Sequence, residues 1–315
     1  MGTRAYFILF LIIACQAALS QSLEKGPYTV SPVAEGVWHI EDSNSSNPAG
    51  VHYDRDGKMT GMNNCSDMYL ITGGNKALLI DLSNQIKWDS TAGESLRSVV
   101  FEKSGKRELL ITVTHRHGDH LGMLPAFKDD QDVRFWIPED EFRGMTIFPD
   151  ERTAYFKEGE SLGLGDGYNV ITLEVPGHTD HSTLFFLEGR DLVFSGDAIG
   201  SGSGVWLFNY ESFLTYKKGI EKLIGYIEDP ANGINREKLL IYGGHMWQSA
   251  GTGKLTAQYI YDMRTLIGKI GDGTAETESM SAQIKFLDTN FKSGTATITW
   301  NREAAEKYRA SLKKD

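Results

Sequence analysis

Short apolar runs and helical stripes alternate along this chain. GVWHIED (Gly36–Asp42) reads as a strand. DMYLITGG and NKALLIDLS meet at a Gly-Gly-Asn turn, the pattern of a hairpin. AGESLRSVVFEKSG has helical spacing, and RELLITVT (Arg107–Thr114) is apolar enough to be a buried strand. LGMLPAFKD is expected to open a helix straight after it. Further strands are expected at VRFWIP, NVITLEVPG, TLFFLEG, DLVFSGD and EKLLIYGGH, with an irregular segment between the first two. YESFLTYKKGIEKLIGYIED and KLTAQYIYDMRTLIGKI carry amphipathic helical stripes. The last forty or so residues mix helix with one late strand, TATITW. Strands in clusters separated by helices define a mixed α/β (α+β) fold, with sheets covered by helices. Residues 43–64 form a long polar stretch rich in glycine and asparagine, and long loops in compact domains are usually functional or disordered. With no repeat, low-complexity tract or linker, residues 21–315 read as one domain with a helical C-terminal extension.

Composition narrows the class of partner. The chain has 315 residues, 40% hydrophobic and 23% charged, which is ordinary for a globular protein with a sizeable core. Its net charge of -10 repels phosphate backbones, so nucleic acid is excluded as a partner and a small molecule is expected. One arginine, an apolar run from Tyr6 to Ala14 and then small residues have the form of a secretory signal. The run is shorter than the roughly 20 apolar residues of a spanning helix. Cleavage after Ser20 fits a small-x-small site. IIAC ending at Cys15 alternatively gives a lipid-anchored cysteine, the one membrane attachment expected. Export is the expectation either way: periplasmic, secreted or lipid-anchored. Cys15 and Cys65 are the only cysteines, so the mature chain has no internal disulfide and is held by its core.

The chemistry concentrates at strand ends. Directly after LLITVT comes a run of three histidines and an aspartate, His115, His117, Asp119 and His120. In an extended segment residues two apart share a side, so His115 and His117 project together. Imidazole and carboxylate both suit zinc. Matching residues follow three later strands: His178 after NVITLEV, Asp197 after DLVFS and His245 after EKLLIY. Each comes with a glycine that lets backbone approach a crowded centre. Seven such groups are enough for two metals sharing one carboxylate. Thr114 and Thr179 flank ligands and are candidates to orient imidazoles. His181, three residues past His178, is a candidate supporting or substrate-contacting group. Trp206 and Trp247 are candidate pocket walls, with Phe208, Tyr210 and Met246 nearby. His39 reads as structural, and His52 sits in the long loop.

In combination, THRHGDH, PGHT, SGD and GGH, in that order, resemble the metallo-β-lactamase-fold hydrolase superfamily, and YLITGGNKALLIDLS resembles its early hairpin. The resemblance covers roughly Gly36 to His245. It implies a four-layer αβ/βα sandwich: two mixed β-sheets covered by helices, with a dinuclear site at the sheet edge. It also implies two zinc ions per chain. His115, His117 and His178 would hold the first, Asp119, His120 and His245 the second, with Asp197 bridging. Asp119 would orient a metal-bridging hydroxide and move its proton. Aspartate rather than cysteine or serine at 197, and no basic residue in AIGSGSGVW, look more like lactonases, thioesterases and esterases than true β-lactamases. The expected activity is therefore hydrolysis of an ester, lactone or thioester. A β-lactamase is the alternative within the family, and a mononuclear iron persulfide dioxygenase is the alternative from another class. Histidine at 117, where oxygen-reducing di-iron relatives carry glutamate, disfavours that branch.

Overall fold

The computed structural model describes residues 22–42, 66–202, 204–248, 255–280 and 286–313. The expected signal segment with Cys15, and also Cys65, His52 and the 43–64 stretch, lies outside them, as does the Trp247 side chain.

Eight strands make a first sheet in chain order: β1 (Leu23–Lys25), β2 (Tyr28–Ala34), β3 (Val37–Asp42), β4 (Asp67–Thr72), β5 (Lys76–Ile80), β6 (Glu108–Thr112), β7 (Val133–Pro138) and β8 (Thr153–Phe156). The strands are antiparallel as far as β5 and parallel from β5 to β8. Helix α1 (Ala92–Ser104) makes the crossover between β5 and β6 and ends at Gly105, whose φ of 62° suits glycine. A second sheet holds β9 (Ser161–Gly165), β10 (Tyr168–Glu174), β11 (Thr183–Leu187), β12 (Leu192–Gly196), β14 (Leu240–Gly243) and β15 (Leu255–Thr256), in the order β15-β14-β12-β11-β10-β9. Helix α2 (Tyr210–Glu228) carries the chain between β12 and the parallel β14, its start capped by the Asn209 side chain. Helix α3 (Ala257–Asp272) follows β15.

The period of two along the strands sorts the core into layers. On β4, Met68 and Leu70 join the cluster around α1, while Tyr69 and Ile71 join the cluster between the sheets. On β12, Leu192 and Phe194 face that same inter-sheet cluster, and Val193 faces the cluster of α2 and α3. A strand buried on both faces needs apolar residues at every position, which is why these segments read as continuous runs. The result is helix, sheet, sheet, helix: the αβ/βα sandwich expected.

Three local expectations are corrected. LGMLPAFKD does not open an α-helix; only the short turn Leu124–Ala126 is helical, as 3-10. The Gly122 and Met123 amides donate to the Ser83 and Leu82 carbonyls, and the Leu124, Ala126 and Phe127 amides close onto carbonyls three residues back, not four. The segment read as irregular contains β8 and β9. The C-terminal part is less helical than expected: β16 (Glu276–Ser279), β17 (Thr289–Ser293) and β18 (Ala296–Trp300) precede α4 (Arg302–Ser311). With β13 (Val205–Trp206) they form a third sheet in the order β13-β18-β17-β16. Ile298 and Trp300 bury it against the α2–α3 cluster.

Candidate metal centre

All seven strand-end residues converge. His115 and His117 leave β6 side by side: His115 Nε2 and His117 Nδ1 lie 3.1 Å apart, and His178 Nε2 lies 2.9 Å from His117 Nδ1. Beside this trio, His245 Nε2 lies 3.1 Å from Asp197 Oδ2 and 3.5 Å from Asp119 Oδ2. His120 Nε2 faces Asp197 Oδ1 at 3.6 Å. Asp197 Oδ2 also lies 3.5 Å from His178 Nε2, so its carboxylate stands between the two groups. Within each group the ligand atoms lie within 4.8 Å of one another.

The hydrogen-bond partners behind the rings decide which nitrogens keep their lone pairs. The Trp206 carbonyl can only accept, so His178 Nδ1 carries the proton in their 3.1 Å contact and Nε2 is left bare. The Asp81 carboxylate likewise accepts from His120 Nδ1 at 2.9 Å, so His120 Nε2 faces inward. Thr114 Oγ1 donates to Asp81 at 2.9 Å, so its lone pair accepts from His115 Nδ1 at 3.0 Å and His115 Nε2 is bare as well. Three histidines are thus turned with Nδ1 outward and Nε2 inward, toward one place.

That arrangement fits divalent cations. His120 Nε2 and Asp197 Oδ1 are buried, face each other and have no hydrogen-bond partner, an expensive arrangement unless a cation joins them. His115, His117, His178 and Asp197 would hold one ion, and Asp119, His120, His245 and Asp197 a second. The charge balance agrees. Burial drives His115 and His117 below the usual histidine range and His178 down to about 4, so these rings are neutral. For His245, burial is outweighed by Asp197, which lifts it to about 9. For His120, burial is outweighed by Asp81 and Asp197, which hold it well above the usual range. Burial alone would raise Asp197, but His245 and His120 keep it well below the usual carboxylate range. Without metal, protons on His120 and His245 neutralise the carboxylates that a cation would otherwise neutralise.

Backbone contacts fix the loops that deliver these groups. A Cβ on Gly244 would stand 2.5 Å from Asp197 Oδ1 and 2.6 Å from His120 Cε1, and one on Gly196, at φ 48°, would collide with Thr114. Only glycine allows β12 and β14 to end this close to β6. The Gly244 amide ties the two strand ends together through the Gly196 carbonyl. His245 is further held by its own amide, which donates to Ser201 Oγ at 2.9 Å. Asp67 on β4 accepts from the Met246 amide and pairs with His39 at 2.8 Å, so His39 has a structural partner away from the centre.

Two carboxylates beyond the seven are part of this scaffold. Asp81, at φ 63°, accepts from the Thr114 amide at 2.7 Å besides holding Thr114 Oγ1 and His120. Glu141, buried and raised by that burial, accepts from the Arg116 amide at 2.9 Å and the His181 amide at 3.1 Å, lashing the first histidine loop to the second. Sequence reasoning missed both: Asp81 shares the strand-end placement of Asp197, which is the signal that could have found it, and Glu141 has no signal of its own.

The remaining sequence candidates separate. Thr114 touches His115, but Thr179 pairs with Ser182 at 2.6 Å rather than with an imidazole. His181 turns to Glu174 at 3.1 Å and does not line the central cavity. Trp206 and Phe208 do line it, and Phe208 lies 5.6 Å from the His178 ring and 6.0 Å from that of His117. Tyr210 instead begins α2, and Met246 is buried with its sulfur accepting from the Gly243 amide. The cavity holds about 190 Å³. His117, Asp119, His178, Asp197 and His245 form its reactive wall, and no lysine or arginine among the described residues lines it.

The family model of the metallo-beta-lactamase superfamily matches residues 66–223, half of the chain, and the chain belongs to that superfamily of metal-dependent hydrolases. Among curated relatives, the beta-lactamase-like protein 2 homolog of Caenorhabditis elegans is 29% identical over 160 residues, 50% of this chain and 51% of that one. The chain thus spans about half the length of that relative. The acyl-coenzyme A thioesterase MBLAC2 of Homo sapiens is 23% identical over 197 residues, covering 52% and 69%. Among solved structures, the metallo-beta-lactamase FIM-1 from Pseudomonas aeruginosa aligns with a TM-score of 0.53 at 16% identity, over 78% of this chain and 97% of that one. A metallo-beta-lactamase from Erythrobacter litoralis aligns at 0.54 and 16%, over 79% and 100%. At that identity the likeness is one of fold.

Proposed function

We propose that this hydrolase cleaves an ester, lactone or thioester bond with two zinc ions held by the seven converging residues. The observation that carries the reading is the pair of buried ligand atoms without a hydrogen-bond partner, His120 Nε2 and Asp197 Oδ1, set beside the bare ring nitrogens of His115 and His178. Bound divalent cations supply an acidified water and polarise a carbonyl. The chain's own residues do the rest. Asp119 lies on the cavity wall, where its carboxylate can take a proton from the attacking water and pass it to the leaving atom. Trp206 and Phe208 give an uncharged acyl group an apolar surface and keep water from the centre. With no cation on the wall among the described residues, nothing there pairs with the carboxylate of a β-lactam. Relatives named thioesterases support the choice of bond.

The test is proton release by the purified protein on a lactone, an aryl ester, a thioester, a β-lactam and a phosphodiester, with and without a chelator. Chelator-sensitive turnover of the first three, with two zinc ions per chain by elemental analysis, is the expected result. Turnover that survives metal removal, or turnover of the β-lactam alone, overturns the reading. Export is proposed from the N-terminal sequence pattern only. It predicts a mature protein beginning at Gln21, or a lipidated Cys15, by mass spectrometry of the native material; an N-terminus retaining Tyr6–Ala14 refutes it.

A further inference from the structure

Asp119 lines a second depression besides the cavity. This is an open trough of about 820 Å³, walled by Leu121, Leu124, Pro125 and Ile147, with Lys128 in the same wall. Lys128 is half-buried, and among the described residues its ammonium makes no ion pair or hydrogen bond. In a chain of net charge -10 an ammonium so placed, beside an apolar surface and without a carboxylate partner among the described residues, is available to pair with an anion brought by a ligand. We propose that the trough binds the leaving-group arm of the substrate, an apolar chain ending in an anion such as a carboxylate or phosphate. The assignment rests on the hydrolase reading above. If Asp119 returns the proton to the leaving atom, the leaving group departs on the side of Asp119, and the trough begins there. The small aromatic-walled cavity then takes the acyl group, and the trough sorts substrates by what they release.

Thiol release from three acetyl thioesters tests this on the full-length, metal-loaded protein: S-acetyl ω-mercaptooctanoate, S-acetyl octanethiol and S-acetyl mercaptoethanol. Wild type is expected to prefer the two long substrates over the short one, by up to about fourfold in kcat/KM per methylene held in the trough. It should also prefer the carboxylate-ended chain to the methyl-ended one. Lys128→Gln should reduce that second ratio by up to about fivefold, the worth of a partly exposed ion pair, and Lys128→Glu should invert it. Leu124→Ser should weaken both long substrates relative to the short one. A carboxylate-to-methyl ratio that Lys128→Glu leaves unchanged overturns the subsite while leaving the hydrolase reading intact. If no thioester or ester is cleaved at all, the hydrolase reading fails, and calorimetric titration with octanesulfonate, a weak metal ligand, still decides the trough. Binding weakened by Lys128→Glu upholds it, and binding indifferent to the change overturns it. Octanoate and octyl phosphate arms added to the titration tell whether carboxylate or phosphate is the preferred anion.

Discussion

Replacing Asp81 by asparagine alters one atom and its charge, yet it should disable half of the metal centre. The carboxylate receives three donors: the Thr114 amide at 2.7 Å, Thr114 Oγ1 at 2.9 Å and His120 Nδ1 at 2.9 Å. Asparagine tolerates the left-handed backbone at this position, so the fold is kept. Its side chain, however, offers one acceptor and one NH2 in place of two acceptors. If the NH2 faces Thr114, a buried backbone donor loses its partner, at about 1–3 kcal/mol of stability. If it faces His120, the ring must accept at Nδ1 and carry its proton on Nε2, the atom meant for the metal. The second outcome should weaken the ion held by Asp119, His120 and His245 by about 10–100-fold, or about 1.4–2.7 kcal/mol. The ion held by His115, His117 and His178 should be much less affected, because His178 is oriented by the Trp206 carbonyl. Competition with a chromophoric chelator resolves the two affinities, and a thermal melt of the chelated protein reads the first outcome as a loss of about 2–4 °C per kcal/mol. If both affinities stay within twofold of wild type and the melt does not move, Asp81 does not orient His120 and the reasoning is wrong.

Further outcomes follow from the same geometry. Gly244→Ala puts a methyl against Asp197 and His120 and should cut kcat by roughly 100-fold with the fold retained by circular dichroism; near-wild-type turnover would show that the strand ends can part. Trp300→Ala should cost about 3–5 kcal/mol, because this ring is fully buried and stacks on Phe213 at 4.2 Å; urea unfolding of the chelated protein reads it. In chelated protein His245 is raised to about 9, so its contribution to stability is complete below pH 6.5 and is lost as the pH rises through 9. His178, lowered to about 4, acts the other way: its contribution is present above pH 6.5 and is lost as the pH falls toward 4. The melting temperature should therefore fall on both sides of an intermediate maximum. Zinc loading at pH 7 should release the His245 proton in a weakly buffered titration, and loading without proton release contradicts the protonated ring.

The seven converging residues could be read from the sequence because each is a side chain at a strand end, and a strand end announces itself by an apolar run. His178, Asp197 and His245 are far apart in the chain, yet each repeats that signature with its glycine. Asp81 ends the strand ALLID in the same way, but alone it matches no spacing, and its task is defined only once β5 lies beside β6. Glu141 follows VRFWIP by three residues and carries no signature at all; its value lies in accepting two amides from loops 25 and 40 residues away in sequence, a pairing created by the packed sheets. Where backbone atoms do the work, side-chain patterns mislead. LGMLPAFKD has helical spacing, but the Leu124, Ala126 and Phe127 amides close onto carbonyls three residues back, the tighter 3-10 turn rather than an α-helix. Trp206 drew notice as an aromatic wall, yet its carbonyl is what turns His178. That carbonyl is set by β13, which pairs with β18 through Val205 opposite Ile298 and Trp206 opposite Thr299. The C-terminal strands, outside every motif and polar enough at TNFKS to pass for a loop, thus brace a ligand near the middle of the chain. A motif reports the atoms that must touch the metal, whereas the atoms that aim them are amides and carbonyls common to all residues, and only the folded chain shows where those point.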